Sequence, residues 1–216
     1  MGRDKLIAWG MFAIGLAVLG SVYFSTLPSE EEVSPAVTAS VEVVGDDRPG
    51  PYLVIEVEGD GANGTITIDL KEQLAPGHVE RVRALAEQGA YDNVVFHRVI
   101  EGFMAQTGDV EHGVFGESLV RAGQGGSDLP NLEAEFTDEP FNRGIIGMAR
   151  SQDLDSANSQ FFIMFGPASS LDGKYTVLGE VVEGMEVVDA IKRGDGANGA
   201  VIGQPDRMVR VTVREE

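Results

Sequence analysis

Along much of the chain, apolar residues recur at every second position over short runs. That is the period of a half-buried strand. Tyr52–Glu58 and residues 65–70 carry the pattern. They are joined by Gly59-Asp60-Gly61-Ala62-Asn63-Gly64, which is hairpin-loop chemistry because Gly and Asn tolerate positive φ. Residues 94–100 form a third run, rich in β-branched and aromatic residues. A Glu101-Gly102 turn leads from it into a run containing Met104 and Gln106. Residues 144–149, 160–165, 177–182 and 208–213 read as further strands. A helical period replaces the alternation twice. Pro76 opens a helix where its missing N–H costs nothing; Val79, Val82, Leu85 and Ala86 form its apolar stripe, and Gly89 stops it. Met185, Val188 and Ile191 give a short second helix ended by Gly194. Residues 112–140 and 150–159 are polar with little periodicity and read as loops. The first hairpin hexapeptide recurs at residues 194–199, but the flanks do not match, so both copies read as loops rather than as a repeat. Many short strands with two helices predict an all-β barrel or sandwich; the pattern leaves that choice open.

The N-terminus has a different character. Residues 6–24 are 19 uncharged residues, roughly 28 Å as a helix, about one hydrocarbon core. Arg3 and Lys5 precede them, and Glu30, Glu31 and Glu32 follow. The distribution predicts a single-pass signal-anchor with residues 1–5 in the cytoplasm and the C-terminal domain across a bacterial inner membrane, on the periplasmic side. The alternative is a signal peptide, removed to leave a periplasmic protein. Residues 25–49 carry Pro28, Pro35, Pro49 and the three glutamates, and read as a linker that cannot bury enough apolar surface to fold alone. One short strand at residues 37–44 is compatible with the pattern. Residues 50–216 form the folded domain.

The candidate chemistry lies in the central hairpin. Alternation puts Phe96 and Arg98 on one face and His97 on the other; Met104 and Gln106 share a face, with Phe103 beside them. One arginine, one amide and one thioether on a single patch suit a surface site better than a core, because a buried arginine is rare unless paired. Phe96-His97-Arg98-Val99-Ile100, then Gly102-Phe103-Met104, Gln106 and Gly108-Asp109, closely resembles the signature of the cyclophilin family of peptidyl-prolyl cis/trans isomerases. Ser159-Gln160-Phe161-Phe162-Ile163 and Leu171-Asp172-Gly173-Lys174 resemble the family's later motifs, in the same order. The resemblance spans roughly residues 50–213. It implies a closed eight-stranded antiparallel barrel with a helix over each end, and a site on its outer surface.

The resemblance implies that Arg98 is the catalytic arginine and that Gln106 holds the substrate carbonyl or orients Arg98. It implies that Phe103, Met104, Phe162, Leu171 and Tyr175 line a proline slot, and that Ala149 and the backbone of Arg150 grip the peptide. Phe161 and Phe162 are adjacent and face opposite ways, so one serves the core and the other the slot. Two positions depart from many eukaryotic members. Ser170 stands where they have a tryptophan that helps bind cyclosporin, so weak inhibition is expected. Tyr175 stands where they have a histidine, and an aromatic wall is retained.

Length, charge and cysteine content narrow the alternatives. The chain has 216 residues and 43% hydrophobic content, enough for one domain with a sizeable core. Its net charge is −19 and no clustered basic patch stands out, which argues against nucleic acid as a partner. There is no cysteine, hence no disulfide or thiol chemistry. His78, His97 and His112 lack metal-ligand spacing, and Asp153-Leu154-Asp155 with Asn158 lacks the glycine and distal glutamate of a calcium loop. Ser159 has no Gly-x-Ser-x-Gly elbow. Neither metal nor cofactor is expected. The expected partners are proline-containing polypeptide clients and, through the N-terminal helix, the membrane; a monomer is the default. Three functions fit in descending order: a prolyl isomerase assisting protein folding, a module that binds proline segments without turnover, and a barrel holding a small ligand in its lumen.

Overall fold

The computed structural model describes residues 50–215. The apolar segment, the linker and the strand considered at residues 37–44 lie outside the described residues. Among the described residues, no helix is long and apolar enough to cross a membrane.

The elements in chain order are β1 (Tyr52–Glu58), β2 (Gly64–Leu70), α1 (Pro76–Glu87), β3 (Val94–Val95), β4 (Arg98–Ile100), β5 (Met104–Thr107), β6 (Ile145–Met148), β7 (Phe161–Met164), β8 (Val177–Glu183), α2 (Met185–Ala190) and β9 (Arg207–Arg214). The strands form one antiparallel sheet in the order β3-β9-β1-β2-β8-β6-β7-β5-β4. β3 and β4 stand at opposite ends of this order, yet only Phe96 and His97 separate them along the chain. A sheet with such ends must curl strongly until they meet.

The fold is all-β, as expected, with one difference in the strand count. Residues 94–100, which the pattern predicts as one strand, are split into two, giving nine strands among the described residues. The backbone at the break is claimed elsewhere: Phe96 N–H donates to the Asp206 carbonyl and the His97 carbonyl accepts from Val201 N–H. Helix α1 ends as the stripe predicts. Gly89 takes a positive φ of 68°, and the Gly89 and Ala90 N–H groups return to the carbonyls of Ala86 and Leu85, a Schellman closure. Helix α2 stops at Ala190 rather than running to Gly194. Ile191 turns extended and inserts into the core, and the next N–H, that of Lys192, donates to Asp206 Oδ2 at 2.8 Å.

Strand alternation divides the apolar residues into two clusters. Leu53, Ile55, Ile66, Ile68, Phe96, Ile146, Phe161 and Leu178 fill the inside of the curl together with the stripe of α1. Met104, Phe141, Ile145, Phe162, Met164 and Val177 form a second cluster. Strands β5 to β8 feed both: along β7, Phe161 and Ile163 belong to the first cluster, Phe162 and Met164 to the second. The side chains of the first cluster are almost fully buried. The second cluster lies on the opposite face of the same strands.

Candidate active site

The second cluster builds an aromatic slot. Phe162 stacks on Phe141 with ring centroids 5.8 Å apart and planes at 28°. Tyr175 stands edge-on to Phe162 at 5.8 Å and 83°. Offset and edge-to-face contacts of this kind suit the aromatic quadrupole. Gly147, paired with Phe162 across β6 and β7, makes the stack possible. A Cβ there would stand 2.4 Å from Phe162 Cζ and 2.6 Å from Phe141 Cε1. The slot opens into a cleft of about 170 Å³ lined by Arg98, Phe103, Met104, Gln106, Ala149, Arg150, Phe162, Leu171 and Tyr175. The structure therefore brings together, at one place, every residue that the sequence singles out for the site.

Arg98 is held by its neighbours. Its Nη1 donates to Gln106 Oε1 at 3.1 Å, across the β4–β5 pair. Arginine has donors only, so the Gln106 oxygen must face it and the Gln106 nitrogen must face away. Gln106 Nε2 donates to Gln160 Oε1 at 2.9 Å, and Gln160 Nε2 to the Gly125 carbonyl at 2.8 Å. A chain of amides thus ties the guanidinium to the long loop. On its other side, Arg98 Nε donates to the Asn198 carbonyl at 3.0 Å and Nη2 to Asn198 Oδ1 at 3.1 Å. Burial draws the Arg98 pKa below its ordinary value, opposed by Tyr175; arginine starts so high that it stays charged.

Arg150 enters the site in a way its sequence position did not announce. Its guanidinium lies 4.4 Å from the centroid of the Tyr175 ring, and its Nη2 donates to the Lys174 carbonyl at 2.8 Å. The side chain braces the aromatic wall. The following segment is pinned too, since Asp172 Oδ1 accepts from Phe141 N–H at 2.9 Å.

Beside the slot, and sharing Gln106, Ala149 and Arg150 with it, lies a polar hollow of about 210 Å³, with Gly123, Gly125, Ser151, Ser156 and Asn158 in its wall. Asp109 shapes this side. Its buried carboxylate accepts from the N–H groups of Glu111, His112, Gly123 and Gly125. Burial pushes the Asp109 carboxyl up, but the four donors outweigh it and leave the pKa below the ordinary range. His97, behind the sheet from Arg98, is buried, and neither ring nitrogen has a hydrogen-bond partner. Burial lowers its pKa to about 4, against the pull of Asp109.

Phe141, Gln160 and Asn198 belong to the site but were not singled out in the sequence. Gln160 sits inside a quoted motif, so its neighbours could have drawn attention to it. Phe141 lies in the aperiodic loop and Asn198 in the second hexapeptide copy, and neither carries a local signal. Among the described residues, no group of three or more metal-binding side chains converges.

A family model for cyclophilin type peptidyl-prolyl cis-trans isomerases matches residues 52–213. The chain belongs to this family. As a cyclophilin it is a peptidyl-prolyl cis-trans isomerase, and its relatives carry the same description. It is 50% identical over 156 residues to a probable peptidyl-prolyl cis-trans isomerase of Brucella suis, covering 71% of this chain and 80% of the relative. It is 42% identical over 126 residues to a peptidyl-prolyl cis-trans isomerase of Dictyostelium discoideum, covering 58% and 76%. Solved structures share the cyclophilin fold. One is a cyclophilin from Hirschia baltica, with a TM-score of 0.60, 24% identity and coverage of 74% and 73%. Another is a cyclophilin-type isomerase of Cryptosporidium parvum, with a TM-score of 0.64, 22% identity and coverage of 77% and 98%.

Proposed function

We propose that Arg98 drives the isomerisation by donating to the nitrogen of the twisting X–Pro amide while the aromatic slot holds the proline ring. Resonance gives the amide a rotation barrier of roughly 18–20 kcal/mol, and uncatalysed exchange takes about tens to hundreds of seconds. Twisting breaks the resonance and turns the nitrogen into a better acceptor. A donor already fixed at that point binds the twisted state more tightly than either planar state, which is the condition for catalysis. The observation that carries this reading is the clamped guanidinium of Arg98 at the rim of a slot formed by Phe162, Met104, Leu171 and Tyr175. Gln106 is the arm that orients Arg98, with Phe103 closing the slot and the Ala149–Arg150 backbone gripping the peptide. A related Cryptosporidium isomerase was solved in the presence of the dipeptide Ala-Pro, and X–Pro segments are the ligand class proposed here.

The test is the cis-to-trans relaxation rate of a short X–Pro peptide with the parent and with Arg98→Ala. The expected result is fast relaxation that falls about a hundredfold in the variant, with an unchanged circular dichroism spectrum. Equal rates would remove Arg98 from the mechanism.

The architecture and setting extend the proposal. The curled sheet is read as a closed barrel in which β3 and β4 count as one interrupted strand. Its support is the hydrogen bond from Thr107 Oγ1 on β5 to the Val95 carbonyl on β3, 2.9 Å long, which links one end of the strand order to the strand beside the other end. Residues 6–24 are read as a membrane anchor and residues 25–49 as a linker, which places a monomeric isomerase where exported polypeptides fold. The charge distribution about residues 6–24 supports it. Protein that stays in the membrane fraction at alkaline pH, with a domain digested by protease added to spheroplasts, is the expected result. Release into the soluble periplasmic fraction would favour the cleaved signal.

A further inference from the structure

The two copies of Gly-Asp-Gly-Ala-Asn-Gly have different fates. In the first, Asn63 turns back on its own loop, its Nδ2 donating to the Gly59 carbonyl at 2.8 Å. In the second, Asn198 takes a left-handed backbone conformation, φ 56° and ψ 29°, and meets Arg98. The tertiary setting makes the difference. Strand β4 is the last in the sheet order and its outer edge needs cover. The second loop supplies it. Gly194 N–H donates to the Val99 carbonyl, Val201 N–H to the His97 carbonyl, and Ala200 forms a bridge with Arg98. This lays the loop along the strand that carries the arginine.

Asn198 faces the guanidinium with two acceptors at once. Nε and Nη2 share one edge of that planar group, the edge that commonly takes both oxygens of a carboxylate. Here the backbone carbonyl and the side-chain Oδ1 of one residue fill it, at 3.0 Å and 3.1 Å. A single residue can do so only if its backbone bends back, and the left-handed conformation provides that; asparagine tolerates it better than most residues. Gln106 holds Nη1 from the other flank. Of the five N–H donors of the guanidinium, these contacts take three, and Nη1 also lies 4.0 Å from Met104 Sδ, which lines the cleft. Asn198 is neutral, so the clamp fixes the arginine without neutralising its charge, as an aspartate would.

We propose that Asn198 is a positioning residue for the isomerase reaction, holding Arg98 on the side away from Gln106 so that its free donors meet the twisted amide. The inference rests on the reading of Arg98 as the donor. It assigns a function to a residue that touches neither the slot nor the substrate.

The experiment is a double-mutant cycle in the full-length protein with Asn198→Gly and Arg98→Ala. Glycine keeps the left-handed backbone and the carbonyl and removes only Oδ1. Asn198→Gly alone is expected to lower kcat about fivefold with KM unchanged. In the Arg98→Ala background it is expected to change nothing, because the residue acts through the arginine. The Arg98 Nη2–H resonance, whose acceptor is Asn198 Oδ1, is expected to exchange faster in Asn198→Gly while the Nε–H resonance, bonded to the retained carbonyl, is kept; a loss of the loop would change both. Equal losses in both backgrounds, or a parental kcat with an unaltered Arg98 Nη2–H resonance, would overturn the proposal. An Arg98→Ala protein with parental activity would instead overturn the reading of Arg98 itself.

Discussion

Arg98 and Gln106 face each other across β4 and β5 as register partners, and Arg98 Nη1 donates to Gln106 Oε1 at 3.1 Å. Strand pairing and side-chain chemistry therefore enforce the same geometry. The Gln106 amide is itself held by Gln160, whose nitrogen reaches the Gly125 carbonyl. The arginine is preorganised by a chain that begins in the long loop. Gln106→Ala removes that support and is expected to lower kcat about tenfold. Saturation kinetics on an X–Pro peptide check it; a change confined to KM would mean that Gln106 binds substrate and does not orient Arg98.

Gly147 leaves the space in which Phe162 and Phe141 stack, since a Cβ there would overlap both rings. Gly147→Ala is expected to push Phe162 toward the slot. Overpacking of this sort costs about 1–3 kcal/mol, readable by urea unfolding. Activity is expected to fall further than stability alone explains, because the displaced ring narrows the cleft. A variant of parental stability and activity would show that the rings move aside freely.

Arg150 stacks on Tyr175 and holds the Lys174 carbonyl. Arg150→Ala frees the tyrosine wall. A cation–π contact at a partly exposed site is worth about 0.5–1 kcal/mol, so peptide affinity is expected to weaken about threefold while kcat is kept. Titration of a non-reacting proline peptide reads it directly.

His97 makes stability depend on pH. Its pKa falls from 6.5 to about 4 in the folded protein, because burial disfavours the charged ring. Between those values the unfolded chain binds a proton that the native protein refuses. Stability therefore falls as pH drops from about 6.5 toward about 4 and levels off below, by at most about 3 kcal/mol. His97→Leu cannot titrate. Urea unfolding from pH 7 to pH 4 is expected to show a shallower decline in the variant, while carboxylates contribute equally to both. Parallel curves would place a charged His97 in the native state.

Most of the fold was legible because its signals are local. Tyr52–Glu58 appears with the bounds its alternation predicts, and the stripe of α1 is buried as its period requires. The site was legible for another reason: Arg98, Met104 and Gln106 share a strand face, and Phe162 joins them through the β5–β7 register opposite Gln106. What escaped depends on partners distant in sequence. The break at Phe96 and His97 follows from hydrogen bonds to Asp206 and Val201, more than a hundred residues away. The early stop of α2 follows from the burial of Ile191 and the Asp206 carboxylate. The roles of Asn63 and Asn198 cannot be told apart in identical hexapeptides, because only the neighbouring strand distinguishes them. The side chain of Arg150 went unnoticed because its target, Tyr175, comes from another loop.

The decisive measurement separates binding from rotation in Arg98→Ala. Two-dimensional exchange spectroscopy on a labelled X–Pro peptide gives the interconversion rate on the enzyme, and titration of the same peptide gives its affinity. If Arg98 serves the twisted amide, the on-enzyme rate falls about a hundredfold while the dissociation constant moves less than about threefold. An unchanged on-enzyme rate with affinity lost would contradict this, leaving the slot to do the chemistry and the arginine only to grip the chain.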